Sequence, residues 1–208
     1  MLRTNFTPHA ICIKHFLGTE ICDQLLKFAI ASEGEFHPTT VGGMSATNPN
    51  VRRSVCIDSM GRFHELVEER VRRVVGKLTH DLRLSRFEPG FIDLQLVAHG
   101  DGGFYKRHID TFTGATRSSN GDRAISCVYY FFSEPKSFSG GEIRFHPLPT
   151  KTKPKPESFE VPITNDTLIA FSSWIPHEVL AVSTPSHDFT DSRFSVNCWV
   201  HRPPRVVP

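Results

Sequence analysis

In the stretch YKRHIDTFTG a histidine and an aspartate stand two residues apart, His108 and Asp110. On a β-strand, positions i and i+2 point to the same face, so the pair can offer an imidazole nitrogen and a carboxylate oxygen to one ion. A further ligand has to come from elsewhere in the chain. Of the eleven histidines, His177 is the best placed, because DTLIAFSSWIPHEV reads as a strand and a Ser/Pro turn that deliver it to a sheet rim. His187, in the loop TPSHDFTDS, is a rival that lacks flanking β pattern. Two histidines and a carboxylate leave three adjacent octahedral positions open, the arrangement of non-haem Fe(II) oxygenases. The same donors also suit a hydrolytic zinc ion, although no general base for one is visible, or a non-catalytic metal-binding module. An H-x-D pair alone is equally well a strand end in water.

The final apolar run, RFSVNCWV, bears on the same question. Strict alternation sends Arg193, Ser195, Asn197 and Trp199 to one face and Phe194, Val196, Cys198 and Val200 to the other. The second face is core. The first is either the polar face of an edge strand or the wall of a polar cavity.

These residues need a scaffold, and the pattern of the chain supplies one. TEICDQLLKFAIAS places Ile21, Leu25, Phe28 and Ala29 on one helical face, with Thr19 as the expected N-cap. GRFHELVEERVRRVVGKL does the same with Phe63, Leu66, Val67, Val71, Val74, Val75 and Leu78. After Phe87 the period changes to two, in IDLQLVAH, AISCVYYFF, EIRFH, DTLIAF and RFSVNCWV, separated by Gly, Asn and Pro turns. The pattern predicts a mostly β domain with flanking helices: a jelly roll supported by N-terminal α-helices. One domain is expected over 1–208, with helical support to about residue 86 and the catalytic core over about 87–202. The Gly/Asn/Pro-rich segment Val41–Asn50 reads as a loop and a candidate lid, with Arg52 or Arg53 as an anionic-substrate contact or, more simply, a solvated surface. The Lys/Pro segment Thr150–Glu157 reads as an exposed hairpin connection.

Composition narrows the function. A net charge of +2 on 208 residues lacks the concentrated basicity of a nucleic-acid binder, and no run of apolar residues is long enough to cross a membrane. Neither partner is expected. Five scattered cysteines without a C-x-x-C pair read as buried thiols of a cytoplasmic protein.

From Gln95 to Trp199, about half of the chain, the ordered pieces YKRHID, NGDRAISCVYYFF, SGGEIRFHP, DTLIAFSSWIPHEV and RFSVNCW resemble the Fe(II)/2-oxoglutarate-dependent dioxygenases. Within them the likeness is to the prolyl-4-hydroxylase-like branch, whose fold is a double-stranded β-helix. The resemblance implies that His108, Asp110 and His177 ligate Fe(II). Arg193 would grip the distal carboxylate of 2-oxoglutarate with Tyr130 and Ser195, while Val128 and Ile143 wall the co-substrate. Dioxygen would be the second co-substrate and ascorbate an accessory reductant. The implied activity is hydroxylation of an unactivated C–H bond, in a prolyl residue of a protein or, alternatively, in a small molecule such as an amino acid or peptide natural product. Related halogenases carry a small residue in place of the carboxylate, so Asp110 favours hydroxylation. Two departures stand out: the insertion EVLAVSTPSHDFTDS between His177 and Arg193, and His99 near the place of a tyrosine that contacts the co-substrate.

Overall fold

The computed structural model describes residues 3–7, 10–40, 47–111, 121–149, 151 and 154–203. Its strands are β1 (Arg3–Thr7), β2 (Ala10–Lys14), β3 (His37–Pro38), β4 (Arg52–Arg53), β5 (Val55–Ile57), β6 (Ile92–His99), β7 (Phe104–His108), β8 (Asp122–Phe131), β9 (Ser139–Gly140), β10 (Ile143–Phe145), β11 (Phe159–Val161), β12 (Thr167–Ser172), β13 (His177–Val179), β14 (Val182–Ser183) and β15 (Arg193–Arg202). The helices are α1 (Thr19–Ala31) and α2 (Phe63–Asp81). Eight strands form the large antiparallel sheet in the order β1-β2-β12-β8-β15-β6-β5-β3. Five form the facing sheet, β11-β10-β13-β7-β4.

Alternation along β8 shows how the layers are bonded. Cys127, Tyr129 and Phe131 enter a core shared with Leu25 and Ala29 of α1 and with Val67, Val71, Val75 and Leu78 of α2. Val128 and Tyr130 point the other way, into a second core between the sheets with Ile143, Phe145, Val161, Ile169 and Phe171. Val67, Val71 and Val75 recur at the helical i, i+4 interval and are essentially inaccessible to water. Burying each stabilises the fold by about 1.5–3 kcal/mol on transfer grounds. The result is a double-stranded β-helix with two helices packed against its large sheet.

Several expectations need correction. β15 is no edge strand; it lies between β8 and β6, pairing Asn197 with Val128 on one side and with Gln95 on the other. Thr19 does not cap α1: the N-cap position is Gly18, at φ 89°, with no side-chain cap. Instead Asp166, from a turn far along the chain, accepts the N–H groups of Leu17 and Gly18 at 2.9 and 3.1 Å and the Tyr129 hydroxyl at 2.9 Å. The stretch before residue 86 is also more than helical support, since β1, β2, β3 and β5 extend the large sheet. The insertion after His177 leaves the register intact, because Arg193 opens β15 opposite His99. Phe189 anchors it, with ring centroids 5.0 Å from Phe36 and 5.2 Å from Phe194. β10 and β11 pair directly, so residues 146–158 do make a hairpin connection, part of it outside the described residues. Of the candidate lid, 41–46 lie outside them as well. Among the described residues no helix is long and apolar enough to cross a membrane, and the five cysteines are buried and free.

Candidate metal and co-substrate site

His177 opens β13 directly opposite His108, the last residue of β7. That pairing sets the two rings side by side, centroids 4.3 Å apart. Asp110 follows β7 and is tied down by its backbone N–H, which donates to the Ser173 carbonyl at 2.9 Å. The donor atoms of His108, Asp110 and His177 all lie within 4.8 Å of one another. Each Nε2 is 3.5 Å from an Asp110 oxygen.

Protonation decides what this cluster can hold. Nδ1 of His108 lies 2.8 Å from the Lys106 carbonyl, and Nδ1 of His177 lies 2.9 Å from the Ile175 carbonyl. A carbonyl only accepts, so each Nδ1 carries the proton and, in the neutral ring, each Nε2 presents a lone pair. Burial pushes His177 down to about 4, which makes it neutral at neutral pH. Burial alone would raise Asp110, but His177, then His108 and the Ser126 hydroxyl, hold it well below the usual carboxylate range. With both Nε2 lone pairs and the carboxylate turned toward one another, a shared cation would take all three donors at once, so the donor set fits a metal ion. Ser126 Oγ donates to Asp110 Oδ2 at 2.6 Å and contacts Ser173 Oγ at 2.9 Å, fixing the carboxylate from behind.

The other predicted residues face the same narrow cavity or support it. Val128, Ile143, Arg193, Asn197 and Trp199 line it with the three cluster residues. Arg193 is 1% exposed. Its Nε donates to the Gly141 carbonyl at 2.8 Å, Nη2 to the Tyr130 hydroxyl at 3.0 Å and Nη1 to Ser195 Oγ at 3.4 Å. No carboxylate partner stands near it among the described residues. A buried guanidinium with only neutral acceptors is an uncompensated charge, and an oxyanion is what its remaining donors fit. Gly141 lets Arg193 lie this close: at φ 76°, a Cβ there would meet Arg193 Cδ at 2.6 Å.

Two further residues belong to the site. His99 lines the cavity and is 3% exposed. Burial, then the charges of Arg193 and Arg52, hold it far below its ordinary range, so the ring is neutral. Its Nδ1 accepts from Arg193 Nη1 at 3.3 Å, which leaves the proton on Nε2, a buried donor without a partner. The sequence flagged His99 only as a departure. Arg52 is 8% exposed, so the solvated-surface reading fails for it and holds only for the exposed Arg53. It donates to Ser54 Oγ at 2.9 Å, lies 4.8 Å from the Tyr105 ring centroid and lines the cavity. His187, the rival ligand, is an exposed loop residue 3.4 Å from Asp101 and no part of the cluster.

Fold and site together define a jelly-roll protein with a histidine–carboxylate cluster that could hold a metal ion, beside a buried arginine. Residues 94–201 match the 2OG-Fe(II) oxygenase superfamily, and the chain belongs to it. It is 35% identical over 198 residues to an uncharacterized PKHD-type hydroxylase of Synechocystis, covering 91% of this chain and 62% of that protein. The chain therefore spans less than two thirds of that relative's length. Its fold resembles a Trichoplax adhaerens prolyl hydroxylase solved with a hypoxia-inducible-factor peptide, at TM-score 0.71 and 18% identity over 94% of this chain and 84% of that one. It also resembles a Pseudomonas putida prolyl-4-hydroxylase, at TM-score 0.63 and 20% identity over 93% and 92%.

Proposed function

We propose that this chain is an Fe(II)- and 2-oxoglutarate-dependent hydroxylase. His108 Nε2, Asp110 and His177 Nε2 hold the iron. Arg193, with Tyr130 and Ser195, receives the distal carboxylate of 2-oxoglutarate between the walls of Val128 and Ile143. The bound iron supplies the chemistry: 2-oxoglutarate and dioxygen become succinate and carbon dioxide, with one oxygen atom inserted into a C–H bond. The protein's own part is to fix the donors, pair the co-substrate's charge and keep the cavity narrow. The observation that carries the reading is Arg193, a buried cation without a carboxylate partner among the described residues, lining the same cavity as the three metal donors. Neither a hydrolytic zinc site nor an inert metal-binding module gives that cation a purpose.

For the substrate we favour a prolyl residue in a protein. The prolyl hydroxylases of like fold support this, one of them solved with a peptide. So does a cleft of about 570 Å³, lined by Thr39, Pro49, Arg53 and Phe189, that shares Arg52 with the cavity as a wall.

The test is succinate formation by the protein supplied with Fe(II), dioxygen and 2-oxoglutarate. Wild type should form succinate, and His108→Ala, Asp110→Ala and His177→Ala should each lose it, with His187→Ala active. No succinate from wild type would end the oxygenase reading. Proline-containing peptides should raise the rate above the uncoupled level; stimulation by free amino acids alone would move the assignment to a small-molecule hydroxylase.

A further inference from the structure

Trp199 lines the cavity of the metal cluster, and the guanidinium of Arg123 stacks on its other side, 4.0 Å from the ring centroid. Beyond that stack lies a separate recess of about 370 Å³. Arg83, Arg123 and Arg202 contribute three cations to its wall, Asp122 one carboxylate, and Trp174, 46% exposed, forms part of its lip. Arg123 is already engaged with Asp93 at 2.7 Å. Arg202 lies 5.0 Å from the Phe87 ring centroid, and its Nε–H is buried without a hydrogen-bond partner. Ser172, at the end of β12, also lines the recess; it is 3% exposed and its Oγ has no hydrogen-bond partner among the described residues.

A neutral hydroxyl buried without a partner is a cost that folding does not recover, and so is a guanidinium N–H left in the same state. Both are donors of residues that line one concavity, where Arg83 and Arg202 stand against Asp122 once Arg123 is set against Asp93. An oxyanion accepts from a guanidinium fork and a hydroxyl together, and pairs with the surplus charge. Position gives the recess a role. Thr111 in its wall is bonded to Asp110, and Ser172 is bonded to Ser173, whose carbonyl and hydroxyl hold the Asp110 backbone and Ser126. The recess thus lies one residue along the chain from Asp110 and from the Ser173 that holds it, and it shares the Arg123–Trp199 contact with the cavity.

We propose that this recess is an anion-binding subsite, formed by Arg202, Arg83 and the Ser172 hydroxyl beside the Arg123–Trp199 stack, for a carboxylate or phosphate group on a ligand that lies across the mouth of the candidate metal site. Its use in substrate recognition rests on the hydroxylase reading; its capacity to bind an anion does not.

Arginine Nε–Hε resonances of the ¹⁵N-labelled protein, titrated separately with acetate and methyl phosphate, test it. The expected result is a saturable shift of the Arg202 and Arg123 signals, with binding weakened about tenfold or more in Arg202→Gln and measurably in Ser172→Ala. Tighter binding of acetate would name a carboxylate, and of methyl phosphate a phosphate. Absence of a saturable shift with either anion, or equal affinities in wild type and Arg202→Gln, would overturn the proposal. Failure of the hydroxylase reading would instead appear as wild type forming no succinate while the anion titration still saturates.

Discussion

Replacing Arg193 by methionine keeps most of its volume and removes its charge, and the structure fixes what that should do. Nε is committed to the Gly141 carbonyl and one Nη2–H to the Tyr130 hydroxyl, whereas the Nη1 contacts to His99 and Ser195 are long, at 3.3 and 3.4 Å. A carboxylate can therefore take one hydrogen from each terminal nitrogen. Two charge-assisted bonds at about 1.5–3 kcal/mol each amount to at least about 3 kcal/mol, or roughly two orders of magnitude in the 2-oxoglutarate dissociation constant. Stability without co-substrate should move the other way. Relief of a buried charge that has no carboxylate partner is set against about 1–3 kcal/mol for the Gly141 carbonyl left without its donor, so the net change is expected to be near neutral or slightly stabilising. Urea unfolding of the anaerobic Fe(II)-loaded protein reads both effects. At a concentration one hundred times the wild-type dissociation constant, 2-oxoglutarate should add about 2.7 kcal/mol to wild type and only about 0.4 kcal/mol to Arg193→Met. Arg193→Lys, which keeps the charge without the fork, should fall between. If Arg193→Met gains as much from 2-oxoglutarate as wild type does, the co-substrate is anchored elsewhere. If instead it is markedly less stable without ligand, Arg193 is a structural residue.

Other perturbations separate the parts of the site. His99→Phe removes the unpartnered Nε2–H and should weaken 2-oxoglutarate binding about tenfold, the worth of one hydrogen bond to a charged acceptor; His99→Gln, which retains a donor, should recover part of it, and equal affinity in all three proteins would remove His99 from the site. Ser126→Ala frees Asp110 Oδ2 from its 2.6 Å hydrogen bond and should lower Fe(II) affinity by about 10–100-fold in equilibrium dialysis; unchanged affinity would show that the carboxylate needs no support from behind. Asp166→Ala leaves two N–H groups and the Tyr129 hydroxyl without their acceptor and should cost about 3–5 kcal/mol in urea unfolding with Fe(II) affinity intact; a loss under about 1 kcal/mol would mean that the turn is not what holds α1 to the sheet.

What could be read from the chain was what depends on neighbours in sequence. The i, i+2 alternation in RFSVNCWV assigned Arg193 and Ser195 to one face and Phe194, Val196, Cys198 and Val200 to the other, and the last four do join the core against the helices while Arg193 meets Tyr130. The strand AICIK escaped notice because Ala10, Ile11, Cys12 and Ile13 are buried on both faces, so the run has no alternation to detect. Thr19 looked like a cap because the true stabiliser of that junction, Asp166, is separated from Leu17 by 149 positions.

The same limit explains the site. His108 and Asp110 announced themselves because a spacing of two suggests a shared face, although only His108 lies in β7 and Asp110, just beyond its end, is brought round by the bond from its N–H to the Ser173 carbonyl. Arg52 did not, because it sits in a strand of two residues within a segment whose composition reads as loop, next to an arginine of identical chemistry. What distinguishes the pair is register: Arg52 pairs with Tyr105 on β7 and Arg53 with Phe104. β7 carries Tyr105 against the His108 ring, centroids 3.6 Å apart, so Arg52 joins the cavity of the candidate metal cluster. One step of slippage would exchange the two arginines, put Arg53 into the cavity and leave Arg52 in water. The identity of the buried cation is therefore a property of the β4–β7 pairing, which forms across more than fifty residues and leaves no mark in the local pattern of either strand.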